Sequence, residues 1–199
     1  GLLNNQYCMR IAFDSDGSAW IGTLGALQHF DGENWSSYTS PKVAVSNFWF
    51  VYALKFDSKG QLLVGGTALD WSFAQMEGSK FDILDENRPV TAIEEGNDGT
   101  IWLGLSNGIA TYKNGVITKY VTDDYNFSTV RDIQSDSQGN LWIASGKDLV
   151  KMSEGKFSVM ATSESIIKCI APDEDGSLWI GSVDGDVFRY VTSEKTLSK

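Results

Sequence analysis

Basic residues are scarce in this chain: 16 Lys and Arg stand against 26 Asp and Glu, for a net charge of −10. They fall singly, with no stripe, so the phosphates of a nucleic acid or the headgroups of an anionic membrane would be repelled rather than neutralised. Long apolar runs are missing too. No stretch approaches the ~18 apolar residues of a membrane-spanning helix, and no signal-peptide pattern is read. A chain that begins with Gly rather than Met fits a leader removed on export, or a domain excised from something longer. Only one histidine is present, His29. It falls on a strand, which points it into a sheet interface or solvent and away from acid-base or metal chemistry. Two cysteines, Cys8 and Cys169, leave room for one bridge at most. No segment shows a sustained helical period.

What is abundant is repetition. DSDGSAWIGT (14 to 23), DSKGQLLVGGT (57 to 67), NDGTIWLGLS (97 to 106), DSQGNLWIAS (136 to 145) and DEDGSLWIGS (173 to 182) share an acidic turn ending in Gly and, in four of the five, a Trp three residues later. The glycines are Gly17, Gly60, Gly99, Gly139 and Gly176, spaced by 43, 39, 40 and 37 residues. That is the period of a propeller blade and too long for a leucine-rich or ankyrin unit.

Each period reads as four strands. A β-branched or aromatic run, such as Met9 to Phe13 or Val51 to Phe56, leads into the acidic turn, whose Asp and Gly supply the side-chain bonds and positive φ of a short hairpin. The second strand carries Trp20, Trp102, Trp142 or Trp179, with Leu63 in that slot of the second repeat. Gly22, Gly65, Gly104 and Gly181 follow at a shared position, with Ala144 in the fourth repeat, and small size there predicts a close approach by a neighbour. Third and fourth strands flank turns at Asp31-Gly32, Glu77-Gly78, Asn114-Gly115 and Glu154-Gly155. The predicted fold is all-β: a β-propeller of five four-stranded antiparallel blades (about 5–40, 47–84, 88–121, 128–161 and 165–199) in a single domain spanning 1–199. Closure into a ring would remove two bare edges, with either Lys195 to Ser198 or Leu2-Leu3 completing the last blade. The four aligned tryptophans are expected in the core, each burying ~150 to 250 Å².

The turn-Trp pattern followed by a Gly-Leu/Ile-x-x-Tyr strand, in DGSLWIGS (175 to 182), DGTIWLGLSNGIATY (98 to 112) and DGSAWIGTLGALQHF (16 to 30), resembles the two-component regulator propeller repeat over essentially the whole chain. That resemblance implies the periplasmic sensor region of a hybrid histidine kinase, often one that detects oligosaccharides, and rings larger than five blades.

Candidate recognition residues come from two irregularities. The second repeat lacks the core Trp but gains an aromatic loop, Asn47-Phe48-Trp49-Phe50, and a long connection containing Asp70 and Trp71. Trp49 and Trp71 either stack on a sugar ring beside Asp70 or fill the space left at Leu63. The second irregularity lies eight residues before each hairpin Gly, where register places Met9, Tyr52, Thr91, Arg131 and Lys168 at the mouth of a central channel. There Tyr52 can stack, and Arg131 and Lys168 either hold an anionic ligand or pair with Asp123, Asp124 and Asp132. None of the five is acidic, so the facing carboxylates of a glycosidase are missing, and no nucleophile elbow is present. The DSDG and DEDG turns lack the remaining ligands of an EF-hand. The expectation is therefore a non-catalytic sensing or binding propeller, periplasmic or extracellular, without cofactor or metal, taking a small molecule (an oligosaccharide among the candidates) or a protein partner. A propeller lyase or glycosidase and a protein-interaction scaffold are the alternatives.

Overall fold

The computed structural model describes residues 7–38, 50–67, 72–77, 80–85 and 88–199, and among them it holds twenty β-strands and no helix. They form five four-stranded sheets. The first contains β1 (Cys8–Phe13), β2 (Ala19–Thr23), β3 (Leu27–Phe30) and β4 (Trp35–Tyr38), and the second β5 (Phe50–Phe56), β6 (Leu62–Thr67), β7 (Phe73–Glu77) and β8 (Lys80–Asp85). The third contains β9 (Val90–Glu95), β10 (Ile101–Leu105), β11 (Gly108–Lys113) and β12 (Val116–Tyr120). The fourth is made of β13 (Val130–Ser135), β14 (Leu141–Ser145), β15 (Asp148–Ser153) and β16 (Lys156–Thr162), the fifth of β17 (Ile167–Pro172), β18 (Leu178–Ser182), β19 (Val187–Val191) and β20 (Thr196–Ser198). Every sheet keeps its strands in chain order. This is the β-propeller blade plan read from the repeats. The outer strand of the fifth sheet comes from the C-terminal segment, because β20 pairs with β19; Leu2-Leu3 lies outside the described residues.

The acidic hairpins have one construction. Gly17, Gly60, Gly99, Gly139 and Gly176 all take φ between 72° and 87°, and each donates its N–H to the carbonyl three residues back at 2.9 to 3.1 Å. An L-residue would be strained there. Where Asp precedes the Gly, its Oδ1 accepts the N–H of the residue after the Gly: Asp16 from Ser18, Asp98 from Thr100, Asp175 from Ser177. In the two repeats with Lys59 or Gln138 in that place, the first Asp takes over. Asp57 accepts from Lys59 and Gln61, and Asp136 from Gln138 and Asn140.

The chain divides into two compact units, residues 1–93 and 94–199. Within the first, Trp20 packs with Leu27 against Val51, Leu62, Val64, Ala74 and Met76 of the second sheet. The required smallness is visible here: a Cβ on Gly22 would lie 2.5 Å from Val51 Cγ1, and one on Gly65 2.7 Å from Val90 Cγ1. Within the second unit, Trp142, Ala144 and Leu149 pack against Ile167, Ile170, Leu178, Ile180 and Tyr190 of the fifth sheet.

One expected core tryptophan is not in the core. Trp20, Trp102 and Trp142 are buried, but Trp179 is 45% exposed. It sits in the last sheet of its unit, so no following sheet of that unit covers it. The Arg189 guanidinium lies 5.6 Å from its ring centroid instead. Leu63, the replacement in the second repeat, is fully buried. Cys8 and Cys169 are free and exposed.

Candidate functional site

The first strand of four sheets carries a break in pairing at the same place. Register slips between Cys8 and Arg10, Val51 and Ala53, Val130 and Asp132, and Ile167 and Cys169. The skipped residues are Met9, Tyr52, Arg131 and Lys168. These are the residues that spacing from the hairpin glycines singles out. A bulge leaves its extra residue outside the ladder and re-aims its side chain, which is why bulges recur beside binding sites.

In the first unit, Tyr52 is half-buried and stacks on Phe50, with ring centroids 5.7 Å apart and an interplanar angle of 8°. Thr91, from β9, is half-buried. Trp49, Asp70 and Trp71 lie outside the described residues.

In the second unit, Arg131 and Lys168 stand on β13 and β17, which pack against each other; Arg131 is half-buried and Lys168 exposed. The neighbouring carboxylates have structural duties. Asp132 Oδ2 accepts the Ile170 N–H at 2.8 Å, tying the fourth sheet to the fifth, and its Oδ1 accepts from the Ile133 N–H and Gln134 Nε2. Asp124 accepts the Phe157 N–H at 3.4 Å. The third and fourth sheets are joined in turn by Ser135 Oγ donating to the buried Glu94 at 2.5 Å.

His29 faces its cross-strand partner Trp20, with rings stacked 4.3 Å apart. It is occupied inside a sheet. Among the described residues no group of His, Cys, Asp or Glu is arranged to hold a metal, and no helix is long and apolar enough to cross a membrane.

Sequence reasoning missed a cleft of about 300 Å³ between the third and fourth sheets, lined on one side by Asn97, Asp98 and Trp102. Its signal was the break at Gly96 in the run of first-position aspartates Asp14, Asp57, Asp136 and Asp173. Asp98 is held down at about 2 by the Thr100 hydroxyl, Lys113 and the Thr100 N–H, and is therefore a permanent anion near neutrality. A second cleft, of about 170 Å³, is lined by Tyr120, Tyr125 and Phe127. Burial, with the nearby Asp148 carboxylate, pushes the Tyr125 phenol up to about 12.

Two segments, residues 124–147 and 162–184, match the family described as two-component regulator propeller. The resemblance read from the hairpin motifs is thus supported by an independent match. No curated protein matches the chain in sequence. Among solved structures, a catalytically inactive His-to-Ala variant of virginiamycin B lyase from Staphylococcus aureus, with quinupristin, is 19% identical, with a TM-score of 0.79 over 98% of this chain and 71% of that one. The extracellular domain of a putative hybrid two-component system from B. thetaiotaomicron is 20% identical, with a TM-score of 0.77 over 98% of this chain and 28% of the other. An auxiliary nutrient binding protein from Bacteroides ovatus is 14% identical, with a TM-score of 0.71 over 96% of this chain and 56% of that one. At these identities the likeness shows the fold.

Proposed function

We propose that this chain is a non-catalytic, ligand-sensing propeller of the two-component type, working in the periplasm or outside the cell. The observation that carries the reading is the recurrent bulge, which takes Tyr52, Arg131 and Lys168 out of their ladders on the first strands of their sheets. In the first unit the Tyr52 ring, together with Trp49, Asp70 and Trp71 as the sequence of the second repeat suggests them, suits an oligosaccharide better than a bare apolar ligand; in the second unit Arg131 and Lys168 offer cations of their own. The family match and the sensor and nutrient-binding neighbours support the same class.

A lyase reading gains little from its neighbour. That enzyme's inactive form is a His-to-Ala variant, whereas the single histidine here is stacked on Trp20 within a sheet. The bulge residues carry no carboxylate, and a glycosidase needs two. The test is a thermal-shift screen of oligosaccharides. A compound that raises the melting temperature should lose its effect with Trp49→Ala, Trp71→Ala or Tyr52→Ala. A shift untouched by all three variants, or none with any saccharide, counts against the reading.

A further inference from the structure

Four tryptophans share one slot, but the chain treats Trp102 differently from the rest. Trp142 donates its indole N–H to Asp136 Oδ2 at 2.9 Å, and Trp179 donates to Asp173 Oδ2 at 3.0 Å. Trp20 is sealed in: its N–H is buried without a partner, Asp14 being engaged by Ser15. In the third blade the position of those aspartates is Gly96, and a Cβ there would meet Trp102 Nε1 at 3.2 Å. The edge of the indole is left open to the cleft that Gly96 itself lines.

The cover differs as well. The cross-strand neighbour of the slot is His29 in the first blade, Lys151 in the fourth and Arg189 in the fifth, each lying over its indole. Against Trp102 it is Thr111. Both substitutions remove a cap from the same side chain.

The cleft has two unlike walls. The fourth blade offers Gly139, Met152 and Gly155 over the buried Leu141, a low apolar surface with no charge. The third blade offers the indole N–H, the Asn97 amide and the Asp98 carboxylate, with Lys113 Nζ 3.0 Å from Asp98, beside the Tyr120 ring, whose centroid lies 5.3 Å from that of Trp102. A Cβ on Gly139 would crowd the Asn97 amide and push it into the cleft, and the positive φ of 81° there favours Gly in any case.

We propose that this cleft is a second binding site, distinct from the bulge residues, which takes a neutral polyhydroxylated ring such as one hexose of an oligosaccharide. A hydroxyl both donates and accepts, so neighbouring hydroxyls can give a proton to Asp98 and receive one from the Trp102 N–H. The C–H face of the ring lies on Met152 and the Tyr120 ring. An anion is disfavoured by the ionised Asp98 and the net charge, and a bare cation by the apolar wall. The volume of about 300 Å³ is at the small end for ligand pockets, which limits the occupant to one or two rings.

The site is tested by following the indole N–H resonances of the seven tryptophans by NMR during titration with disaccharides of glucose, galactose, mannose, xylose and N-acetylglucosamine. Trp102→Phe assigns the Trp102 signal. A saturable shift of that signal is expected with at least one disaccharide, unchanged in Trp71→Ala and abolished in Gly96→Asp. The latter rebuilds the paired aspartates of the fifth blade's DEDG turn and fills the cleft. Should Gly96→Asp not fold, Asn97→Ala is expected to weaken the shift about tenfold. A Trp102 signal that none of these sugars moves, or that moves equally in the filled variant, overturns the site. Shifts confined to Trp49 and Trp71 overturn it while leaving the proposed function standing.

Discussion

Asp136 accepts the indole N–H of Trp142 at 2.9 Å while the same carboxylate closes its hairpin through the Gln138 and Asn140 amides. One acidic residue thus fixes both the turn and the largest side chain of the blade, which couples local chain geometry to the packing between sheets. Asp136→Ala leaves that buried donor unmet and should destabilise the protein by about 2 to 3 kcal/mol in urea unfolding. Asp136→Asn keeps an acceptor and should cost about half as much. Equal losses for the two variants would separate the turn from the tryptophan.

The hairpin carboxylates also set an acid limit. Burial raises the Asp136 carboxyl, but its bonds from Asn140 and Trp142 outweigh that, and Asp16, Asp31 and Asp175 are lowered by backbone and side-chain donors. Asp98 is lowest, at about 2 against an ordinary 3.8. Groups depressed on folding stabilise the protein above their unfolded pKa and lose that contribution as pH falls through the folded one. Stability should therefore be flat above about pH 5 and decline between about pH 4 and 2. Thr100→Val should raise the Asp98 midpoint, measured by carboxyl NMR titration. An unmoved midpoint would contradict the assigned cause.

Tight approach at the shared glycine gives a steric prediction. A methyl at Gly65 meets Val90 Cγ1 at 2.7 Å and Ala53 Cβ at 3.2 Å, so Gly65→Ala should cost about 1 to 3 kcal/mol. Adding Val90→Ala should recover part of that loss, because the nearest contact is removed while the Val90 carbonyl at 3.1 Å stays. If the double variant is simply additive, the cost comes from elsewhere.

The blade plan was legible because its signal is local. Each hairpin writes Asp and Gly at fixed offsets, and Trp20, Trp102 and Trp142 follow from them. The bulge residues were legible for the same reason: Tyr52, Arg131 and Lys168 keep a constant distance from the turn. Trp179 was misplaced because burial is not local. Its motif shares D-x-x-G-x-L-W-I with that of Trp142, yet one indole lies under the Tyr190 sheet and the other under a single guanidinium. The cleft at Trp102 escaped since it is defined by what is missing, Gly96 for Asp and Thr111 for a cation, which matters only once neighbouring blades are compared in register.

Those unequal surroundings predict unequal energies. Trp142, 2% exposed, should cost about 3 to 5 kcal/mol when changed to Ala. Trp179→Ala should cost less than half of that, about 1 to 2 kcal/mol, since so much of the ring already meets water. Paired denaturation curves decide it. Similar losses at the two positions would mean that Trp179 is covered in solution.

The proposed role is recognition without chemistry. The decisive measurement combines calorimetric titration of the best thermal-shift oligosaccharide with mass spectrometry of that compound after prolonged incubation with the protein. Saturable binding, weakened by Tyr52→Ala, with the sugar recovered at its original mass, is the predicted result. A shortened or eliminated product that accumulates with protein concentration would contradict it.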